Sequence, residues 1–117
     1  MPITNVVQNF QANAKFTTFD TLISTSAPLG AAGVFTSDGD TRFFDRITGT
    51  LFADQAGTIS IKYSVDGINF DGEQTRAYVA SELLCIDTAN KARFVRVTFT
   101  NGAIAQTVFR LNLLGKN

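Results

Sequence analysis

Hydrophobic and polar side chains alternate along most of this chain, which is the pattern of a β-strand that buries one of its two faces. The clearest run, "TISIKYSV" (58–65), alternates Ile, Ile, Tyr and Val with polar residues. The run "RITGTLFA" (46–53) precedes it. Between the two lies "DQAG" (54–57), with the Asp and the Gly that a type I turn favours. The two runs are therefore predicted to pair as a hairpin.

A second pair of alternating runs lies in "ARFVRVTFTNGAIAQTVFRLNLL" (92–114). The residues predicted to face inward are Val95, Val97 and Phe99 in the first run and Thr107, Phe109, Leu111 and Leu113 in the second. The connection (101–106) is longer than a two-residue turn, so Asn101-Gly102 is expected to open a loop. These runs are predicted to form a second hairpin.

Weaker alternation predicts four more strands, at 20–26, 33–37, 74–79 and 82–87, with a short helical turn over 81–87 as the alternative. No stretch keeps the spacing of an amphipathic helix for three turns. Short strands with turn residues every 8 to 12 positions or so are typical of antiparallel sandwiches and jelly rolls. The sequence therefore predicts an all-β fold, an antiparallel β-sandwich of the jelly-roll kind, as a single domain over residues 20–117.

The first 19 residues differ in composition from the rest. They contain no acidic residue and one Lys, and they carry Phe10, Phe16 and Phe19, two of which do not fit strict alternation. One interpretation is an edge strand with a frayed start. The other is an extended N-terminal arm that becomes ordered by lying across a neighbouring subunit, with its Phe side chains as anchors.

Charge and hydropathy exclude several classes of protein. Ten basic and ten acidic residues give a formal net charge of zero. This argues against nucleic-acid binding, which normally shows a basic excess, and leaves little repulsion between copies. No run approaches the ~18 apolar residues of a membrane-spanning helix, so no membrane partner is predicted. The opening "MPITNVVQNF" lacks the features of a signal peptide, and synthesis in a cytoplasm without export by the usual route is expected.

Little in the sequence indicates catalysis or metal binding. The chain has no His, which excludes Ser-His-Asp, Cys-His and His-zinc sites, and its lone Cys85 is expected to be buried. The loop "DGINFDGE" (66–73) departs from the EF-hand pattern at the first and twelfth positions. Many carboxylates stand beside Gly or Asn and are expected to serve turns. No enzyme activity, cofactor or metal is predicted.

Large side chains on outward faces indicate a contact surface instead. Phe52 and Phe94 fall on the nominally outward faces of their strands, where a packed loop, the N-terminal arm or a partner would cover them. Arg96 and Arg110 also point outward and could make bidentate contacts with carboxylates of another strand or copy. The predicted protein interface consists of Phe10, Phe16, Phe19, Phe52, Phe94, Arg96 and Arg110.

The segments "GTLFADQAGTISIKYSVDGINFD" (49–71) and "ARFVRVTFTNGAIAQTVFRLNLL" (92–114) resemble a pattern in small β-sandwich structural proteins of tailed bacteriophages. The resemblance covers about half of the chain. It implies a non-enzymatic virion component assembled in the host cytoplasm: a capsid decoration protein, or another minor capsid or tail protein. The implied partners are the major capsid protein or other virion proteins. We also expect a homo-oligomer, with a trimer as the favoured state.

A second resemblance implies a different function. The spacing S-x-DG-x-x-F (64–70), followed by "ARFVRV" (92–97), is similar to discoidin-type jelly rolls, which bind glycans or lipid head groups through loops at one end. The implied alternative is a glycan-binding, receptor-binding module that uses Phe70 and Tyr78 as loop aromatics. This chain departs from that pattern because it has no Trp and lacks the framing cysteines.

Overall fold

Eight β-strands make up the fold in a computed structural model that describes residues 19–41 and 43–117. The strands are β1 (Phe19–Thr25), β2 (Val34–Asp40), β3 (Arg46–Ala53), β4 (Gly57–Ser64), β5 (Gly72–Tyr78), β6 (Leu84–Ala89), β7 (Phe94–Asn101) and β8 (Phe109–Lys116). Sheet A has the order β1-β8-β3-β6 and sheet B the order β2-β7-β4-β5, and every pairing is antiparallel. This is the strand order of an eight-stranded jelly roll, so the predicted all-β sandwich is confirmed.

Both predicted hairpins are wrong, although their strands are present. β3 pairs with β6 and β8 in sheet A, whereas β4 pairs with β5 and β7 in sheet B. β7 and β8 likewise belong to different sheets. Alternation shows that one face of a strand is buried, but it does not show whether the following turn stays in the sheet or crosses to the other one. Among the described strands, β4 and β5 follow each other in the chain and also pair in one sheet; residues 65–71 join them.

The core lies between the two sheets and is built mostly from the predicted inward faces. Thr107, also predicted to face inward, is exposed because it lies in the loop before β8. The inward side chains of β7 and β8 are fully buried: Val95, Val97, Phe99, Phe109, Leu111 and Leu113. Phe99 and Phe109 meet across the sandwich with ring centroids 5.0 Å apart. Phe35 packs edge-on against Phe109, and Tyr78 packs edge-on against Phe99. These four rings form one chain through the core, and such pairs add stability beyond their buried area.

Residues 81–87 do not form the helical alternative. Ser81 has a positive φ of 63° in the turn before β6, and the strand begins at Leu84. No helix among the described residues has the length and hydrophobicity needed to cross a bilayer.

Cys85 is exposed, which corrects the prediction that it is buried. In β6 the side chains of Leu84 and Ile86 point into the core, so Cys85 between them points outward, opposite Thr50 of β3. The error arises because a small apolar residue beside two Leu residues looks buried in sequence, whereas the period of two puts it on the other face.

Gly49 allows β3 and β8 to approach each other closely. It pairs with Leu113 in the middle of sheet A. A Cβ atom added at Gly49 would overlap the Asn112 carbonyl oxygen and lie 3.0 Å from the Leu113 Cα. The obstruction is backbone and cannot rotate away, so this position requires glycine.

Tyr78 links sheet B to sheet A. Its ring is buried, and its hydroxyl accepts a hydrogen bond from the Ala53 amide at 2.8 Å. The same hydroxyl lies within donating distance of the carbonyl oxygens of Ala53 (3.0 Å) and Glu82. The Tyr78 side chain at the end of β5 therefore hydrogen-bonds to backbone groups at the end of β3 and in the turn before β6.

We expect Gly49→Ala to lower the free energy of unfolding by about 3 kcal/mol, because the new methyl group forces β3 and β8 apart. Gly30→Ala is the matched control, since a Cβ at Gly30 meets no atom within 4 Å. Urea denaturation followed by circular dichroism would measure both variants. Equal stability of the two variants would contradict the close approach at Gly49.

We expect Tyr78→Phe to lower the free energy of unfolding by about 2 kcal/mol, because the buried Ala53 amide loses its partner. Tyr63→Phe removes a hydroxyl that donates to the side chain of Gln74 at 3.0 Å, on the exposed edge strand β5. Tyr63→Phe should lower the free energy of unfolding clearly less, because water can replace the hydroxyl as the partner of Gln74. Comparable losses in the two denaturation curves would mean that Tyr78 does not act as a link between the sheets.

Candidate functional site

The predicted interface residues lie on two opposite faces of the sandwich. Phe52 of β3 pairs in register with Arg110 of β8, and both point away from the core on sheet A. Phe94 and Arg96 of β7 lie on the outer face of sheet B. Phe10, Phe16 and the side chain of Phe19 lie outside the described residues. The four described side chains therefore do not form a single surface.

On sheet A, Phe52 lies in an open groove of about 500 Å³ that we call the Phe52 groove. Its lining residues are Ser24, Thr25, Ser26, Thr50, Phe52, Leu83, Arg110, Leu111 and Asn112. The Arg110 guanidinium carbon lies 5.2 Å from the centre of the Phe52 ring, within the range of a cation–π contact. The groove thus combines an aromatic ring, one positive charge, and hydroxyl and amide groups that can pair with a partner's backbone.

On sheet B, Arg96 makes its contacts within the chain. Its guanidinium donates to both oxygens of Asp38, from Nε at 2.7 Å and from Nη2 at 3.0 Å. This hydrogen bonding keeps the pKa of the Asp38 carboxyl below its usual range. The other side of the guanidinium covers the Phe70 ring at 4.2 Å. The bidentate contact predicted for Arg96 is therefore made with a neighbouring strand.

Phe94 is also covered from within the chain. The Arg93 guanidinium carbon lies 4.8 Å from the centre of its ring. On the β4–β5 loop, a Cβ built on Gly67 would lie 3.4 Å from the same ring, and Gly67 has a positive φ of 80°. Among the described residues, the loop at Gly67 therefore packs over this aromatic.

The carboxylates in the loops hold turns together. Asp66 Oδ1 accepts hydrogen bonds from the amides of Ile68 and Asn69, both at 2.8 Å, and from the Ser64 hydroxyl at 2.9 Å. Hydrogen bonds to the ionised form, led by the Asn69 amide, keep the Asp66 pKa far below its usual range. A general acid needs a raised pKa, whereas the pKa of Asp66 is lowered. This carboxylate therefore stabilises a turn, as its sequence context predicts.

Asp54 ties the end of β3 to the loop before β8. Its carboxylate accepts hydrogen bonds from the amides of Thr107 and Val108, at 3.0 and 3.1 Å, and from the Thr107 hydroxyl. These bonds, the hydroxyl first, lower the Asp54 pKa. Across the described part of the chain, no three His, Cys, Asp or Glu side chains come together as a group that could hold a metal ion.

The two aromatics that a glycan-binding module would use do not form a platform. Tyr78 is 2% exposed and bonded to backbone groups, and Phe70 is half-buried beneath Arg96. Sugar rings need an exposed aromatic face to stack on. Neither Tyr78 nor Phe70 presents such a face.

One end of the sandwich holds a surface that the sequence patterns did not indicate. The loops 26–33, 54–56, 79–83 and 102–108 all leave strands at this end, which we call the apolar tip. The buried Asn101 side chain donates from Nδ2 to the carbonyl oxygens of Gly30 (2.8 Å) and Ile104 (2.9 Å). The Gln106 backbone amide donates to the Leu29 carbonyl oxygen, and the Leu29 amide donates to the Gln106 side-chain oxygen. The pair Asn101-Gly102 predicts the start of a loop, and in the structure the Asn101 side chain also ties two loops together.

Comparison with solved structures places the fold among known sandwiches. The structure of the "PBSX exported protein XepA" matches with a TM-score of 0.67 and 21% identity, over 84% of this chain and 36% of that chain. This chain thus spans about a third of the length of that protein. A subunit of the Bacillus endospore appendages, described as "a novel family of disulfide-linked pili", matches with a TM-score of 0.54 and 20% identity, over 89% of this chain and 92% of that chain. At these identities the likeness shows the fold.

Sequence comparison gives the family. A search of curated proteins found no match to the chain. The family model described as "Uncharacterised protein YqxG N-terminal domain" matches residues 8–115, which is most of the sequence. The chain therefore belongs to the YqxG N-terminal domain family.

Proposed function

We propose that this chain is a non-enzymatic structural protein of a bacteriophage virion, most specifically a capsid decoration protein that docks on the capsid lattice and self-associates. The observation that carries the proposal is the Phe52 groove, in which an aromatic ring and a guanidinium lie together on an outer sheet face. The resemblance of segments 49–71 and 92–114 to virion sandwich proteins supports the setting. The proposed partners are the major capsid protein or another virion protein.

The groove has the chemistry of a protein contact. Aromatic and Arg side chains dominate the binding energy of protein interfaces, and here Phe52 holds the Arg110 guanidinium in place before any partner arrives. An ordered Arg loses less conformational entropy on binding than a mobile one. A contact of about 800 Å² on each partner would suffice for stable docking, and the groove can form its centre.

One of the two similar solved structures supports a structural role, because it is described as pili, which are assemblies of repeated subunits. A virion is also an assembly of repeated subunits, and in it this chain would act mechanically. Contacts spread over neighbouring subunits would raise the free energy needed to separate the shell.

We expect Phe52→Ala and Arg110→Ala each to weaken binding to shells assembled without the protein by about tenfold or more. Arg96→Ala is the matched control, because it removes an Arg from an aromatic ring on the opposite face. Co-sedimentation over a range of protein concentrations would measure the affinities. Equal binding by all three variants, or a loss confined to Arg96→Ala, would contradict docking through the Phe52 groove.

The N-terminal arm is proposed as a second contact with the lattice or with a neighbouring copy. A chain without residues 1–19 should co-sediment more weakly than the full chain, because the anchors Phe10, Phe16 and Phe19 are lost. Circular dichroism of the truncated chain would check that the sandwich is retained. Binding equal to that of the full chain would remove the arm from the proposal.

A further inference from the structure

The two ends of the sandwich differ in charge. The four loops of the apolar tip contain two charged residues, Asp54 and Glu82, among stretches such as "SAPLGAAG" and "GAIAQTV". At the other end, the loops 41–45, 65–71 and 90–93 include Asp45, Asp66, Asp71, Lys91 and Arg93; we call this end the charged tip. Of the two charges at the apolar tip, Asp54 is already bound by the amides and hydroxyl that follow β7.

Large apolar side chains stand exposed at the apolar tip. Val34, Val79, Leu83 and Ile104 are 55%, 63%, 61% and 64% exposed. The charged tip also exposes apolar side chains, including Val65 and Ile68, but there they alternate with charged groups. Depletion of charge around exposed apolar residues is what distinguishes the core of a protein interface from ordinary surface.

The apolar tip is held in shape before any contact forms. Asn101 ties loop 26–33 to loop 102–108, and the Ala32 amide donates to the Gly102 carbonyl at 2.7 Å. The Gly102 amide in turn donates to the Ala56 carbonyl at 3.1 Å, which joins a third loop. Loops that are already bonded to one another lose little conformational entropy on docking.

The apolar tip lies at the opposite end of the sandwich from both ends of the described chain. β1 begins and β8 ends at the charged tip, where Phe19 pairs with Lys116. The apolar tip is therefore the end of the sandwich remote from both ends of the described chain.

We propose that the apolar tip is the surface through which two copies of this chain associate, tip to tip. The inference rests on the self-association in the proposed function and assigns its contact surface. A second copy fits because the tip offers no charge pattern for a charged partner to complement, and two identical tips bring largely uncharged surfaces together. Like charges facing each other would oppose association, and such a pairing largely avoids this repulsion.

The experiment measures the mass of the full chain in solution by size-exclusion chromatography with light scattering, over a series of concentrations. Ile104→Glu and Ile104→Lys should each weaken self-association about tenfold or more, because identical charges would then meet in the contact. An equimolar mixture of the two variants should associate more strongly than either variant alone, since the two tips of a mixed pair carry opposite charges. Val79→Glu and Val79→Lys repeat the test at a second position of the tip.

Ile68→Glu is the matched control, because Ile68 is 80% exposed at the charged tip, and it should leave the mass unchanged. A monomeric wild type would overturn the inference, and so would an oligomer that none of the Ile104 and Val79 variants weakens. Mixtures that associate no more strongly than either variant alone would also contradict the tip-to-tip contact. Ile104 does not line the Phe52 groove, so lattice docking is judged separately by co-sedimentation.

Discussion

The contact between the inner faces of β7 and β8 is the constraint on which the rest of this structure depends. Phe99 and Phe109 meet with ring centroids 5.0 Å apart, and the aliphatic side chains beside them on both strands are fully buried. Each of these strands pairs on both sides within its own sheet. Because the apolar faces must meet, the connection between β7 and β8 crosses the sandwich, and most of the other connections do the same.

Crossing connections gather the loops at two ends, and an Asn side chain organises each end. At the charged tip, Asn90 Nδ2 donates to the carbonyl oxygens of Thr41 and Phe44. At the apolar tip, Asn101 does the same for Gly30 and Ile104. A carboxamide suits this task because its two N–H groups can satisfy two loop carbonyls at once. The two ends share this device but differ in charge.

Outward aromatics on both faces are covered by arginines of the same chain. Arg110 lies over Phe52 on sheet A, while Arg93 and Arg96 lie over Phe94 and Phe70 on sheet B. The two faces differ in what surrounds these pairs. On sheet B, the Asp38 carboxylate and the loop at Gly67 complete the contacts, whereas on sheet A the pair lies in an open groove. This asymmetry supports sheet A as the face that makes the proposed lattice contact.

The sequence by itself determined most of the strands and of their buried faces, because alternation follows directly from the pleat. It placed β3 to the residue and assigned Val95, Val97 and Phe99 to the core. It could not decide which strands pair, since a short turn such as 54–57 serves a hairpin or a crossing equally well, and only burial of both sheets against each other selects the crossing. Tertiary structure also decided that Phe52 and Phe94 lie on opposite faces, that Cys85 is exposed, and that four separate loops form one apolar tip. These are relations between residues far apart in the chain, and local pattern carries no information about them.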